Sequence, residues 1–109
     1  MTVRKVTDFI NGWFIGNFEP TMLKTSAFEA SIKNYQSGAE ENKHLHKVAE
    51  EITVVINGVV SFNDIIFKSG DIIHVSAGEI VKFRCLEKAT TVVIKIPCVK
   101  GDKYEVNSS

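Results

Sequence analysis

The sequence lacks the features that would assign it to an oxidising compartment, a membrane or a nucleic acid. Its only cysteines, Cys85 and Cys98, are too few for a disulfide framework and favour reduced thiols in a cytoplasmic protein. No apolar run approaches the roughly 20 residues of a membrane-spanning helix. The charged N-terminal segment, broken by Asn11-Gly12, does not have the pattern of a signal peptide. Thirteen basic and thirteen acidic residues cancel, so no net positive face favours nucleic acid or an anionic membrane as a partner.

Signals for a domain boundary are also missing. Pro20 and Pro97 are the only prolines, and neither a low-complexity linker nor an internal repeat divides the chain. A length of 109 residues is enough for one domain with a modest core. We therefore predict a single domain. Its expected parts are an N-terminal arm or edge segment over 1–23, a barrel over 24–100, and a polar, fraying tail over 101–109.

What is present is a series of short strand patterns separated by turn residues. The segment 27–33 alternates apolar and polar side chains, which is the period of a half-buried strand. Residues 52–56 are all β-branched and end in Asn57-Gly58, the favoured two-residue hairpin turn. Further strand patterns follow at 59–62, 65–67, 71–75, 80–86 and 90–96, the first two separated by a tight turn at Asn63-Asp64. This spacing predicts an all-β antiparallel barrel or sandwich and not βαβ units.

Two histidines one residue apart, His44 and His46, are the main chemical feature. Because side chains alternate across a strand, both should face the same side, with Cα atoms roughly 6 to 7 Å apart. Glu51 begins the next strand and can point into the same cavity if a turn lies between. Two imidazoles and one carboxylate suit iron, manganese, nickel or zinc and leave positions open for water or substrate. The alternative is that these are ordinary surface or half-buried strand residues.

The spacing around the two histidines resembles the first motif of the cupin superfamily. Gly38, His44, His46, Glu51 and Gly58 occupy the fixed positions of G-x5-HxH-x4-E-x6-G. The resemblance covers residues 38–85. It implies a cupin-type antiparallel β-barrel, or jelly roll, in which His44, His46 and Glu51 hold a divalent transition metal.

The second cupin motif is degenerate in this chain. Gly70 and Gly78 match it, but Ser76 replaces a proline. Val81 stands where the family carries its fourth metal-binding histidine, and Cys85 stands at the asparagine position. The resemblance therefore implies three metal ligands, a weaker site and an apolar wall opposite them.

His74 lies just before this second motif and could complete the site. If its ring faces inward, it would serve as a fourth ligand or as a general acid or base, because histidine titrates near neutral pH. If the ring faces outward, His74 is a surface residue bonded to a neighbouring strand. Alternation relative to Val81 does not decide between these, because the turn at 76–78 can reset the register.

Three functions are compatible with this pattern. The first is a metal-dependent cupin that acts on or binds a small oxygen-rich molecule. The second is a metal-free isomerase or epimerase for sugars or nucleotide sugars, with His44, His46 and His74 as acid and base. The third is a binding module without turnover. The resemblance also implies a homodimer, for which the N-terminal aromatic residues Trp13, Phe14 and Phe18 are the expected contact.

Overall fold

The computed structural model describes residues 1–107, whose regular secondary structure is almost all β-strand, as predicted. Two single-turn 3-10 helices, Val6–Asp8 and Ile10–Gly12, come before them. The strands are β1 (Trp13–Ile15), β2 (Glu29–Tyr35), β3 (His44–Leu45), β4 (Glu50–Phe62), β5 (Ile65–Lys68), β6 (Ile72–Val75), β7 (Phe83–Ile96) and β8 (Tyr104–Glu105). No helix in this part of the chain has the length and apolar character needed to cross a membrane.

The two long strands β4 and β7 form the centre of the fold. They pair antiparallel within a sheet of order β1-β2-β7-β4-β5. The other edge of β4 is shared, because β6 pairs with its first half and β5 with its second half. β3 pairs with β8, and bridges from His44 to Val81 and from Glu40 to Arg84 join the segment before β4 to the β7 region. These connections close the sheet into an antiparallel barrel.

The Asn57-Gly58 pair does not form the predicted hairpin turn. β4 continues through it because residues on both sides still pair with β7, and the register shifts there mark a β-bulge. Gly58 has φ +84°, and a Cβ atom at this position would lie 2.2 Å from the carbonyl oxygen of Lys88. Local turn preference is thus overridden by strand pairing, and the glycine is needed where two backbones approach closely.

Two further sequence predictions can be compared with the strands. The patterns at 80–86 and 90–96 belong largely to one strand, β7, because Glu87 between them pairs with Val59 of β4. The tight turn at Asn63-Asp64 is confirmed. Both residues have positive φ, 53° and 66°, and they connect β4 directly to β5.

The C-terminal segment does not fray over the residues that the structure describes. β8 pairs with β3, and Asp102 is buried. The prediction for residues 108–109 lies outside the described residues. The segment 101–107 is therefore attached, through β8, to the strand that carries His44.

The barrel interior has an apolar half and a polar half. The apolar half is the core cluster of Val55, Val60, Phe62, Val75, Val81, Phe83, Cys85 and Ala89. In the polar half, the inward positions of β2, β4 and β7 carry Glu29, Ser31, Lys33, Glu51, Thr53, Thr91 and Lys95. The pairing register places Lys95 between Glu29 and Glu51. Three of the predicted site residues, His44, His46 and Glu51, lie at this polar half.

Candidate functional site

His44 is buried on β3 and lines a small interior cavity of about 40 Å³. Its backbone is fixed by two hydrogen bonds with Val81, of 3.0 and 2.8 Å. Its Nδ1 lies 2.8 Å from the carbonyl oxygen of Asn42. Because a carbonyl only accepts, Nδ1 donates its N–H to it, and in the neutral ring Nε2 is then the acceptor nitrogen. Glu51 and Tyr35 line the same cavity.

His46 lines a second and much larger cleft, of about 630 Å³. The residue is only 7% exposed, and its Nε2 has no hydrogen-bond partner within the described chain. Burial lowers the pKa of His46 to about 4, and the nearby charges of Lys95 and His44 act in the same direction. The imidazole is therefore neutral at pH 7 and has unused hydrogen-bonding capacity.

The two imidazoles are neighbours, as the one-residue spacing predicts. Their ring centroids are 5.3 Å apart, with an angle of 59° between the ring planes. They nevertheless line different cavities: His44 lines the small interior cavity, and His46 lines the larger cleft. The sequence prediction of one shared cavity does not describe this arrangement.

Glu51 shares a cavity with His44 but not with His46. It lies opposite Lys95 and Val75 in the sheet, and burial raises its pKa while Lys95 lowers it. Across residues 1–107, no three His, Cys, Asp or Glu side chains are grouped so that they could hold a metal ion. The free imidazole nitrogens suit a borderline divalent cation, but the three predicted ligands do not fit a three-ligand centre in this arrangement.

His74 lies on the outer face of β6, away from both cavities. Ile73 and Val75 take the inward positions of that strand, so alternation turns His74 outward. Its side chain is 54% exposed, and its Nε2 lies 2.8 Å from Glu50 Oε1. A hydrogen bond from the Ala77 N–H, together with His74, lowers the pKa of Glu50. His74 is therefore a surface residue bonded to a neighbouring strand, which is the second of the two alternatives that the sequence left open.

Asp102 is a site residue that the sequence reasoning missed. Its buried carboxylate accepts hydrogen bonds of 2.9 to 3.2 Å from the backbone N–H groups of Lys47, Val48 and Ala49. Burial would raise the pKa of Asp102, but these hydrogen bonds outweigh it and lower the pKa. The carboxylate thus holds the loop that follows His46 against the cleft. A lone aspartate in a polar tail gave no sequence signal for this role.

The rest of the cleft wall combines cations, aromatic rings and one thiol. Lys95 Nζ lies 5.0 Å from the ring centroid of Trp13, which is half-buried in the wall. Phe18 and Lys100 line the same cleft. Burial raises the pKa of the Cys98 thiol, which keeps it protonated at neutral pH. The wall therefore offers ammonium groups and apolar surface in one enclosure.

No protein-family model and no curated protein sequence matches the chain. Solved structures do. A protein with a double-stranded β-helix domain from Klebsiella pneumoniae is 18% identical and aligns over 99% of both chains with a TM-score of 0.72. A cupin protein from Bacteroides fragilis is 20% identical over 77% of this chain and 75% of its own, with a TM-score of 0.59.

An enzyme has the same architecture. The DMSP lyase DddQ from Ruegeria pomeroyi is 16% identical, with a TM-score of 0.71 over 86% of this chain. The chain spans only about half of that lyase, 49% of its length. Identities this low establish the fold alone. Together with the strand topology, these likenesses show that the chain is a small single-domain barrel with the cupin fold.

Proposed function

We propose that the chain binds a small oxygen-rich molecule in the cleft beside His46. The observation that carries this proposal is the buried Nε2 of a neutral His46 without a hydrogen-bond partner. A buried polar atom left unpaired costs on the order of 1 to 3 kcal/mol. This nitrogen has almost no exposed surface, so a hydroxyl or carboxyl group in the cleft would bond to it, and remove that cost, after a small rotation of the ring.

The composition of the cleft supports the same class of ligand. Small-molecule sites are concave, largely apolar and carry a few polar groups that orient the ligand. Trp13 and Phe18 supply apolar surface, and Lys95 and Lys100 supply ammonium groups that form no ion pair within 1–107. An oxygen-bearing ligand would therefore find an imidazole and a cation on one wall.

The comparison with solved structures agrees with a small-molecule ligand. DddQ, which shares the fold, is named as a lyase of DMSP, a small molecule. Fold does not fix function, so the support is for the class of ligand and not for that reaction. Turnover as an isomerase or epimerase, with His44 and His46 as acid and base, stays a prediction of the sequence.

A divalent transition metal, iron, manganese, nickel or zinc, at His44 and His46 is the second candidate. It is supported by the adjacent rings and by the free Nε2 that the Asn42 hydrogen bond leaves on His44. A metal-binding histidine commonly donates its other ring N–H to a carbonyl in this way. Glu51 is not grouped with the two rings, so we expect any metal to be held weakly.

A thermal-shift screen of hydroxy acids, dicarboxylates, sugars and nucleotide sugars tests the first candidate on metal-stripped protein. We expect at least one compound to stabilise the wild type and His74→Gln, but not His46→Leu. His74→Gln is the matched control because that ring lies outside the cleft. Equal stabilisation of His46→Leu, or no stabilisation by any compound, would contradict the proposal.

Metal uptake is tested separately, by elemental analysis after incubation with each of the four ions and removal of the excess. If metal binds at the paired rings, the wild type retains an ion that His46→Leu loses. If both retain equal amounts or none, the second candidate fails. That result leaves the ligand screen on metal-stripped protein unaffected.

A further inference from the structure

Several charged groups on the wall of the cleft already have partners within the chain. The carboxylate of Asp102 accepts hydrogen bonds from three backbone N–H groups. The carboxylate of Glu19 lies 3.7 Å from Lys24 Nζ, and Lys103 Nζ lies 3.5 Å from a carboxylate oxygen of Glu41. A ligand that bound to one of these groups would have to displace its partner, so recognition falls to the groups that remain.

One half-buried cation in the cleft is left without an ion pair. Among residues 1–107, the cleft-lining side chains Glu29, Lys95 and Lys100 form no ion pair. Lys100 is exposed to solvent, whereas Lys95 is half-buried and close enough to His46 for its charge to lower the pKa of the imidazole. Partial burial strengthens the attraction of an ammonium group for an anion. Lys95 is therefore the group that can hold a carboxylate.

Glu29 limits the charge that such an anion can carry. It stands opposite Lys95 in the register of β2 and β7, and its Oε2 accepts a hydrogen bond of 3.6 Å from the Cys98 thiol. A carboxylate only accepts, so Glu29 can bind a hydroxyl group but repels a second carboxylate. The chemistry of the wall thus favours one carboxylate with a hydroxyl close to it, which the neighbouring His46 can also bind after the ring has rotated.

The wall next to Lys95 is apolar. Lys95 Nζ lies 5.0 Å from the ring centroid of Trp13, and Phe18, Pro20 and Val99 line the same cleft. A sugar would turn hydroxyl groups toward these side chains, and the hydroxyls would lose their hydrogen bonds to water. An apolar group attached near the carboxylate would instead be buried against them, which is favourable.

We propose that the cleft binds an α-hydroxy acid with an apolar side chain, its carboxylate on Lys95 and its apolar group against Trp13. This inference rests on the proposed function, because it names the class of ligand that the same cleft selects. Sugars, nucleotide sugars and dicarboxylates are then weaker ligands than such an acid. Lys95 selects for the charge of the ligand, and Trp13 selects for its apolar group.

Titration of tryptophan fluorescence tests the class of ligand, because Trp13 is the only tryptophan and lines the cleft. The probes are phenyllactate, its amide, lactate and gluconate, each added to metal-stripped protein. The amide lacks the charge, lactate lacks the apolar ring, and gluconate carries hydroxyl groups in place of the ring. We expect phenyllactate to bind at least about tenfold more tightly than each of the other three, because one charge-assisted hydrogen bond or one buried ring supplies such a ratio.

Two lysine variants test the residue that holds the carboxylate. Lys95→Met keeps the apolar stem and should weaken phenyllactate about tenfold without affecting the amide, and Lys95→Arg should restore binding of the acid. Lys33→Met is the matched control. Lys33 Nζ also lies near the Trp13 ring, 4.7 Å from its centroid, but it bonds to the carbonyl oxygen of Asn11, and Lys33 lines the interior cavity instead of the cleft. Circular dichroism checks that the variants are folded.

The outcomes separate this inference from the proposed function. Equal affinity for the acid and its amide, tighter binding of lactate or gluconate, or equal losses in Lys95→Met and Lys33→Met would overturn the inference. The proposed function would still stand if a compound of the wider screen binds the wild type and not His46→Leu. Equal binding of phenyllactate by wild type and His46→Leu would contradict the proposed role of His46 and not that of Lys95. If no compound binds at all, both fail.

Discussion

The two halves of the barrel interior are built on the same strands, but they differ in how completely their side chains find packing or hydrogen-bond partners. In the apolar half, Phe62 and Phe83 meet edge to face with ring centroids 5.3 Å apart. In the polar half, three buried atoms have no hydrogen-bond partner in the described chain: Ser31 Oγ, Thr91 Oγ1 and His46 Nε2. A core that only had to be stable would not leave polar atoms unpaired. The difference indicates that the apolar half stabilises the barrel by packing, whereas the polar half keeps unused hydrogen-bonding capacity, which our proposed function assigns at His46 to a ligand.

The boundary between the halves passes between His44 and Val81. These two residues bond to each other through their backbones, yet one side chain belongs to the polar half and the other to the core cluster. The sequence position that the cupin resemblance assigns to a fourth metal-binding histidine has therefore joined the apolar half. The chain keeps the position but uses it for packing.

The largest expected effect is a cavity in the apolar half. Phe83→Ala should lower the free energy of unfolding by about 3 to 5 kcal/mol, because it removes a ring that contacts Phe62 and Tyr35. Phe83→Leu should cost clearly less. Urea denaturation measures both. A loss below about 1 kcal/mol for the alanine variant would break the comparison, since this half would then not be the main source of stability.

Acid should weaken the polar half in a defined window. The folded-state pKa of His46, about 4, lies below its ordinary value of 6.5, so the unfolded chain binds more protons between these values. The contribution of His46 to the free energy of unfolding should then be constant above about pH 6.5. It should fall by up to about 3 kcal/mol as the pH drops to 4. Urea denaturation across that range measures the slope.

His46→Leu is the reference for this slope. Glu51 acts in the opposite direction, because burial raises its pKa and protonation then favours the folded state. Asp102 titrates below the window, because its pKa is lowered. The contribution of His46 is therefore the difference between wild type and variant. Identical slopes for the two proteins would show that His46 is not held neutral by burial.

A smaller effect is expected from the loop that supports the polar half. Asp102→Asn removes the charge that accepts three backbone N–H groups and should lower the free energy of unfolding by about 1 to 2 kcal/mol. Hydrogen exchange of the Lys47, Val48 and Ala49 amides should accelerate, while amides in the apolar half keep their protection. Uniform acceleration over the whole chain would instead indicate that Asp102 stabilises the barrel as a unit.

The smallest effect is expected at an unpaired hydroxyl. Thr91→Val replaces a buried Oγ1 without a partner by a methyl group of similar size. Stability should stay constant or increase by up to about 1 kcal/mol, since no hydrogen bond is lost. Thermal unfolding measures the change. A decrease of more than 1 kcal/mol would show that the hydroxyl is bonded in solution, for example to a buried water.

Much of the barrel could be predicted from local patterns. β-branched runs and turn residues indicated an all-β chain, and both positive φ angles at Asn63-Asp64 agree with the predicted turn. The same reasoning failed at Asn57-Gly58. There, a favourable turn dipeptide lies inside a strand because β7 supplies partners on both sides. Turn propensity is a local quantity, whereas the bulge depends on a strand about thirty residues away.

The candidate site was also predictable only in its local features. The one-residue spacing brought the rings of His44 and His46 together, as alternation along a strand requires. Which cavity each ring faces depends on side-chain rotation and on the loop after His46, and neither is encoded in the spacing. The outward position of His74 follows from the inward positions of Ile73 and Val75. The sequence did not reveal these positions, because alternation counted from Val81 has to cross the turn after β6.

The bonds of Asp102 also have a consequence for the order of folding. They join residues 53 to 55 positions apart in the chain, so the wall beside His46 is closed by the last described part of the sequence. Contacts this distant form only after a large loop has lost its conformational entropy. During synthesis the sheet of β2, β4 and β7 can assemble first, and the cleft acquires its final shape only when residue 102 docks. Cleavage just before Asp102 would therefore leave a barrel in which the cleft beside His46 lacks part of its wall.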